Sequence, residues 1–193
     1  MTDTKKEEKP KEEDTSNDTK IVTLISSDDK KMPIPYKLLK SCTLVRSIVV
    51  DSGFDEPIPA KFSEKALLTM VDFMKHYEGV VIPEIKRPFR ERSLEEFCTW
   101  EGKKDDWLAK YLEMDMDFLS EMIMLVNFMD FPVLYDFLCA SFAHKFLIGK
   151  GADGIRKQFG VEDDFTDDEK KKVDFFFIWN KLIDWDSIKD QKL

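Results

Sequence analysis

The chain has 193 residues, with 39 Asp or Glu against 30 Lys or Arg, and its formal net charge is −9. This balance disfavours a general nucleic-acid binder, because neutralising a phosphate backbone requires a basic surface. Hydrophobic residues make up 42% of the chain, whereas it contains only 7 Gly and 8 Pro, which excludes collagen-like and linker sequences. The length allows one compact domain or one domain with appendages, and the composition predicts a soluble, mostly helical protein with enough apolar residues for a core.

Cysteine usage and the absence of long apolar runs indicate a reducing compartment. The three cysteines, Cys42, Cys98 and Cys139, are widely spaced and form no CxxC pair, so we expect reduced thiols that act mainly as small hydrophobic residues. No segment reaches the roughly 18–20 uninterrupted apolar residues of a membrane span, and the first twenty residues lack the apolar run of a signal peptide. We therefore expect a protein of the cytoplasm and nucleus without membrane contact.

The charge pattern predicts a tail. Residues 1–20 contain twelve charged side chains and no aliphatic or aromatic residue other than Met1. Such a segment cannot bury enough apolar surface to offset the entropy lost on ordering. We expect a disordered charged tail at 1–20 and an ordered chain from Ile21.

The next residues predict the order strand, strand, helix, strand, helix. Short β-branched or proline-flanked runs indicate the strands, and apolar steps of three and four indicate the helices. The expected elements are a strand at 21–25, a return strand with Met32 and Ile34, a helix carrying Leu38, Cys42, Val45 and Val49, a strand at 57–60, and a helix from the N-cap Ser63 to about Tyr77.

Residues 78–106 show no sustained period, which predicts a long loop with room for one helical turn. The remaining chain is expected to be helical, because apolar residues recur at helical spacing between recognisable start and stop signals. These signals are Asp105 to Trp107, Asp117 as an N-cap, Pro132 in a first turn of a helix that ends at Gly149, Gly160 as a left-handed C-cap, and the capping box Thr166–Glu169.

One segment matches a nucleotide-binding motif. Gly149–Gly154 reads GxGxxG, and Asp174 follows twenty residues later, as in a dinucleotide-dependent oxidoreductase. The motif requires a preceding strand, and the sequence predicts a helix there, which favours a glycine-rich hinge. His76 and His144 have no partner at metal-ligand spacing. We expect no catalytic residue, no metal site and no cofactor.

Aromatic residues are concentrated near the end of the chain. Successive residues of a helix point about 100° apart, so Phe175, Phe176 and Phe177 cannot all enter one core. We expect about half of these aromatic side chains to be buried and the rest to form a patch for a partner polypeptide or for self-association. The full set is Phe159, Phe165, Phe175, Phe176, Phe177, Trp179 and Trp185.

Two groups of motifs carry a family resemblance. A hairpin ending at Ser26-Ser27-Asp28, then a helix and Pro57-Ile58-Pro59, resembles a BTB/POZ domain, which has a small three-stranded sheet with helices. The segments Asn127–Asp130, Ile155–Phe159 and Asp164–Glu169 resemble the S-phase kinase-associated adaptor family. Members of that family link F-box substrate receptors to a cullin in SCF ubiquitin ligases.

The resemblance covers about residues 20–185 and implies an α+β fold with a C-terminal helical extension. It divides the chain into a BTB/POZ-like domain at 21–149 and F-box-binding helices at 150–193. The implied cullin contacts are Ile123, Asn127 and Phe128. The implied F-box contacts are Ile155, Phe159, Phe165, Val173, Phe176, Phe177 and Trp179.

The chain also departs from this family. Residues 174–178 read Asp-Phe-Phe-Phe-Ile where relatives usually carry polar or charged residues. Ala152 stands where some relatives carry a proline that is hydroxylated, so we do not expect that modification here. These differences indicate a divergent paralogue. The resemblance implies a non-catalytic adaptor of the ubiquitin conjugation pathway. The alternative is an oligomerising scaffold that no longer binds cullin, and the presence of Asn127 and an aromatic residue at 128 favours the adaptor.

Overall fold

The computed structural model describes residues 17–82, 85, 93–100 and 102–172. Helices predominate beside a three-stranded and a two-stranded sheet, which confirms the predicted α+β class. The elements are β1 (Ile21–Ile25), β2 (Lys31–Pro35), α1 (Tyr36–Leu39), α2 (Thr43–Ser52), β3 (Ile58–Pro59), α3 (Glu64–His76), α4 (Leu94–Phe97), β4 (Thr99–Trp100), β5 (Lys103–Lys104), α5 (Asp106–Tyr111), α6 (Met116–Phe128), α7 (Pro132–Phe142), a π-helical turn (Ala143–Leu147), α8 (Ala152–Phe159) and a helical stretch at 167–172.

Strand β1 lies in the centre of the larger sheet, whose order is β2-β1-β3. It pairs antiparallel with β2, where Leu24 lies opposite Met32, and parallel with β3, where Leu24 lies opposite Ile58. Because a parallel pair requires a crossover, α1 and α2 occupy the connection from β2 to β3. The three predicted strands are therefore confirmed.

The helix predicted through Leu38, Cys42 and Val49 is divided into α1 and α2, so the prediction of one continuous helix is wrong. Cys42 is extended, with φ −91° and ψ 110°. The N–H of Thr43 then donates to the carbonyl oxygen of Asp130 at 3.1 Å. Leu38 and Cys42 are nevertheless buried, so the periodicity predicted their burial correctly.

The start of the ordered chain also differs from the prediction. Of the expected tail at 1–20, residues 1–16 lie outside the described part, but its last four residues form a turn. The N–H of Lys20 donates to the carbonyl oxygen of Asn17 at 3.0 Å, and the carbonyl oxygen of Lys20 accepts from Tyr36 N–H at 2.8 Å. The second bond extends the β1–β2 ladder, which is why order begins before Ile21.

The described part of 78–106 contains α4, which is the single helical turn that the prediction allowed, and the β4–β5 hairpin, which was not predicted. Ser93 and Glu96 form a capping box: the N–H of Glu96 donates to Ser93 Oγ at 3.1 Å, and the N–H of Ser93 donates to Glu96 Oε2 at 3.3 Å. The ring centroid of Phe97 lies 5.2 Å from that of Phe137 in α7. The inserted elements therefore pack against the second half of the chain.

Helix α6 begins two residues earlier than predicted. Asp115, not Asp117, is its N-cap, because Asp115 has an extended backbone and its carboxylate accepts from the N–H of Phe118 at 2.8 Å. Asp117 lies in the first turn. The next prediction is confirmed, since α7 begins at Pro132.

The helical chain that begins at Pro132 ends at Leu147, two residues before the predicted Gly149, but its last part is not α-helical. The α-helix ends at Phe142 and is followed by the π-helical turn. Within this turn, Lys145 Nζ donates to the carbonyl oxygens of Leu112 at 2.6 Å and Met114 at 3.1 Å. A cation at carbonyl groups that follow a helix is stabilising, and the turn thereby holds the α5–α6 connection.

Two compact units make up the chain. Unit 1 ends at Ile148 and unit 2 begins at Gly149. All fully buried apolar side chains of the described residues lie between Val22 and Ala140. None of the described residues from 149 to 172 is fully buried. Within the described ranges, no helix has the length and apolar character needed to cross a bilayer.

Candidate protein-binding surfaces

The three residues predicted to contact a cullin lie on the outer side of the last two turns of α6. Ile123 is half-buried, Asn127 is exposed, and Phe128 keeps 43% of its surface accessible. Ile123 and Asn127 share a face because residues four apart align along a helix, and Phe128 follows directly. The inner side of α6 carries the buried residues Leu119, Met122, Leu125 and Val126.

Two further apolar side chains, which the sequence analysis missed, extend this outer side. The ring centroids of Phe62 and Phe128 are 5.8 Å apart, a favourable distance for an aromatic pair. Met124 is 57% exposed and precedes Phe128 by one helical turn. Together these side chains form what we call the α6 surface: Phe62, Ile123, Met124, Asn127 and Phe128.

The position of Phe62 is set by the chain between β3 and α3. Its carbonyl oxygen accepts from the N–H of Ser27 at 2.8 Å, and the N–H of Ser63 donates to Glu121 Oε1 at 2.9 Å. Lys61 has φ +51°, a left-handed conformation that side-chain-bearing residues seldom adopt. The surrounding hydrogen bonds hold this conformation, and they join the loop to α6.

The end of α6 is held in a similar way. Asp130 has φ +52°, and its carbonyl oxygen accepts the Thr43 hydrogen bond described above. The carbonyl oxygen of Met129 accepts from the N–H of Leu44 at 3.4 Å. Of the three non-glycine residues with positive φ in the described chain, Asp29, Lys61 and Asp130, the last two lie within two residues of Phe62 and Phe128 in sequence.

Cationic side chains lie close in sequence to the start of α3 and to Phe62. Lys65 Nζ lies 3.9 Å from the centroid of the Phe118 ring, a cation–π contact, and Lys61 is exposed. An apolar centre with a polar rim is typical of a protein–protein interface. The arrangement is therefore suited to binding another polypeptide.

Cys42, Cys98 and His76 are side chains of unit 1 that could be reactive, and each is buried or stacked on a neighbour. Burial raises the pKa of Cys42 to about 12 and that of Cys98 to about 11, so both thiols stay protonated at neutral pH and lack the thiolate form that reacts. The His76 ring stacks on Trp107 with centroids 3.8 Å apart. Among the residues described, no cluster of His, Cys, Asp or Glu could hold a metal ion.

Unit 2 contains the first three residues predicted to contact an F-box. Ile155 and Phe159 lie one turn apart on α8. Gly160 ends the helix with φ +64° and ψ 27°, which confirms the prediction that it is a left-handed C-cap. Phe159 and Phe165 are exposed, and so is Val161, which the sequence analysis missed because it lies outside any helical period. We call Ile155, Phe159, Val161 and Phe165 the α8 surface.

The predicted capping box of unit 2 is confirmed. The N–H of Thr166 donates to Glu169 Oε2 at 2.9 Å, and the Thr166 hydroxyl lies 2.6 Å from the same oxygen. These hydrogen bonds from the hydroxyl and the backbone of Thr166 lower the pKa of Glu169 below its ordinary value. The box begins the helical stretch at 167–172.

Four predicted F-box contacts, Val173, Phe176, Phe177 and Trp179, lie outside the described residues, as do the remaining aromatic residues of that segment. The glycine-rich segment Gly149–Gly154 follows the π-helical turn, and its last three residues form the start of α8. It therefore has no preceding strand, which a dinucleotide-binding motif needs, and the hinge interpretation of this segment is favoured.

Comparison with known proteins gives one family match and several curated relatives. The family described as "Skp1 family, dimerisation domain" matches residues 132–175, from the start of α7 into the segment after the capping box. The matched range contains the whole of the α8 surface.

Curated relatives match a larger part of the chain. An S-phase kinase-associated protein 1 homolog of Tetrahymena thermophila is 26% identical over 154 residues, which cover 79% of this chain and 89% of that protein. The E3 ubiquitin ligase complex SCF subunit sconC of Arthroderma benhamiae is 27% identical over 160 residues, covering 82% and 93%. A Skp1-related protein of Caenorhabditis elegans is 24% identical over 160 residues, covering 79% and 86%.

These relatives are matched over most of their own length, and the identity is modest throughout. The matched dimerisation domain and the small sheet with its surrounding helices agree with the BTB/POZ-like fold that the motifs implied. The chain therefore contains a region that matches the Skp1-family dimerisation domain, and most of its length is similar to Skp1-related proteins at modest identity.

Proposed function

We propose that this chain is a non-catalytic adaptor of an SCF-type cullin-RING ubiquitin ligase. It binds a cullin through the α6 surface and an F-box substrate receptor through unit 2. The observation that carries the proposal is the presence of two exposed apolar surfaces in two separate units. The SCF subunit name of the fungal relatives supports the same role.

An adaptor contributes by holding its partners at a fixed separation. A substrate receptor tethered near the ubiquitin-loading machinery experiences a raised effective concentration, and no chemical step by the adaptor is needed. We place this activity in the cytoplasm and nucleus, which imaging of the tagged full chain tests.

A charge substitution on the α6 surface tests the proposal. Phe128→Lys would bury an unpaired ammonium group beside Phe62 at the cullin contact, so we expect cullin affinity to fall by at least about thirtyfold, or ~2 kcal/mol. F-box binding should be unchanged, because Phe128 belongs to unit 1. The measurement is a quantitative pull-down of each partner with the full chain.

Val81→Lys is the matched control. Val81 is 94% exposed in unit 1. It follows the end of α3, whereas Phe62 of the α6 surface precedes the start of that helix, so the two residues are separated by the length of α3. This variant adds the same charge and should leave both affinities unchanged. Undiminished cullin binding by Phe128→Lys would show that the assigned face is not the contact.

The aromatic residues of unit 2 also led to an expectation of self-association. We assign the exposed α8 surface to an F-box partner, because the implied F-box contacts Ile155, Phe159 and Phe165 all lie in it. Self-association stays a prediction. Light scattering of the isolated chain at rising concentration tests it.

A further inference from the structure

Arg156 makes side-chain contacts on both sides of the turn that follows α8. Its guanidinium carbon lies 4.9 Å from the centroid of the Phe165 ring. Its Nη1 atom lies 3.1 Å from Asp153 Oδ1 and 3.5 Å from Asp163 Oδ1. Only 18% of the Arg156 side chain is exposed, although the charged group of Asp153 beside it is almost fully exposed. The arginine is therefore packed, and it does not extend into solvent.

The Arg156 contacts continue into the next helix. Asp163 Oδ2 lies 2.5 Å from Lys170 Nζ, and Lys170 is part of the helical stretch at 167–172. The hydrogen bond from Lys170 lowers the pKa of Asp163, so the carboxylate remains charged between its two cationic partners. Arg156 thus connects α8, through Asp163, to the helix that follows.

The backbone of Arg156 holds the intervening turn. Its carbonyl oxygen accepts from the N–H of Val161 at 2.9 Å and from the N–H of Gly160. A single residue therefore fixes the turn through its carbonyl group and contacts Phe165 through its guanidinium group. Val161 and Phe165, both part of the α8 surface, are positioned from the same point of α8.

A held aromatic ring has a specific advantage in binding. An exposed Phe side chain loses rotamer freedom when a partner orders it, and this loss opposes association. A planar guanidinium stacks on one face of a ring, and Phe165 still keeps 42% of its surface accessible. Part of the ordering is then complete before any partner arrives.

We infer that Arg156 is a positioning residue of the α8 surface, which holds Phe165 and the 160–165 turn in their binding orientation in the free chain. This inference rests on the proposed binding of an F-box receptor by unit 2. Arg156 acts through Phe165 and the turn.

The experiment uses the full chain and a purified F-box domain. We expect Arg156→Gln, which removes the charge and the guanidinium plane, to weaken F-box affinity about three- to tenfold. Arg156→Lys should recover part of the loss, because an ammonium group can also pair with Asp163 and lie over the ring. The matched control is Lys157→Gln, which removes the same charge from the exposed neighbouring position of α8 and should leave the affinity unchanged.

A spectroscopic readout separates positioning from general stability and needs no partner. In the free chain, the side-chain protons of Arg156 should be shifted upfield by the ring current of Phe165, and Phe165→Leu should abolish that shift. Amide exchange at Ile155, within α8, should be the same in Arg156→Gln as in the wild type.

The outcomes are distinguishable. Unchanged affinity of Arg156→Gln, or a free wild-type chain without the upfield shift, would overturn the positioning role. If the wild-type chain shows the shift but binds no F-box domain, the proposed function of unit 2 fails, and the role of Arg156 in presenting that surface to an F-box fails with it.

Discussion

Two residues of α6, three positions apart, have different roles because their burial differs. Leu125 is fully buried, whereas Phe128 is partly exposed and packs on one side against Phe62. We expect Leu125→Ala to lower the free energy of unfolding by about 2–5 kcal/mol, through lost burial and a new cavity. Phe128→Ala should cost only about 1 kcal/mol. Urea denaturation of the full chain measures both.

Although Phe128 contributes little to the free energy of unfolding, we expect it to contribute to partner binding. Phe128→Ala should weaken cullin binding although the chain remains folded under assay conditions. A Phe128→Ala variant as unstable as Leu125→Ala would mean that the ring belongs to the core, and the α6 surface would then lose its central residue.

At the residue scale, the sequence predicted part of the α6 surface. Ile123, Asn127 and Phe128 followed from a family resemblance, and the structure brings them together on one helix. Met124 could have been found from its spacing of four from Phe128. Phe62 could not, because it lies in irregular chain whose position depends on hydrogen bonds to Ser27 and Glu121, both distant in sequence.

The starts of the helices show which features can be predicted from local sequence alone. The boxes at Thr166–Glu169 and Ser93–Glu96 both have Ser or Thr three residues before Glu, and both form as that pattern predicts. The division between α1 and α2 had no comparable signal, because it depends on the hydrogen bond between Thr43 and Asp130. Local pattern therefore predicts caps and periodicity, whereas breaks caused by tertiary bonds require the structure.

The choice of N-cap in α6 can be tested by substitution. Because the Asp115 carboxylate accepts the Phe118 N–H, we expect Asp115→Ala to lower the free energy of unfolding by about 1 kcal/mol. Asp115→Asn retains an acceptor at the cap and should lose much less. Asp117→Ala removes only a favourable charge in the first turn of the helix, and we expect it to lower the free energy of unfolding by about 0.3–1 kcal/mol. Thermal or urea unfolding of the three variants measures the order, and a larger loss for Asp117→Ala would contradict the assignment.

The capping box of unit 2 has a predictable pH dependence. The pKa of Glu169 lies below its ordinary value of 4.5, so its ionised form is favoured in the folded helix. The stabilisation of the helix start is therefore fully present above the ordinary pKa and is lost as the pH falls through the lowered one. We expect the carboxyl carbon of Glu169, followed by NMR, to titrate below 4.5.

Substitution of Thr166 tests the cause of the lowered Glu169 pKa. Thr166→Ala removes the hydroxyl donor, so the Glu169 titration should move towards its ordinary value, although the backbone N–H still donates. Thr166→Ser keeps the hydroxyl and should leave the titration in place. Identical titrations in the Ala and Ser variants would show that the hydroxyl is not the main cause.

At the scale of the whole molecule, stability and partner binding are distributed unequally between the two units. Every buried apolar side chain of the described residues lies in unit 1, whereas the contacts within the described part of unit 2 include exposed ion pairs, helix caps and a cation–π contact. Exposed ion pairs contribute little to stability. Unit 1 is therefore expected to determine the main unfolding transition.

Truncation after Lys150 tests this division. The shortened chain keeps the complete unit 1 core and the α6 surface, so it should unfold cooperatively with a midpoint close to that of the full chain and should still bind cullin. It should no longer bind an F-box domain, because α8 and everything after it are removed. Calorimetry and pull-downs with both partners are the measurements. A truncated chain that unfolds without cooperativity would show that unit 1 depends on unit 2 for its folding, and retained F-box binding would place that contact in unit 1.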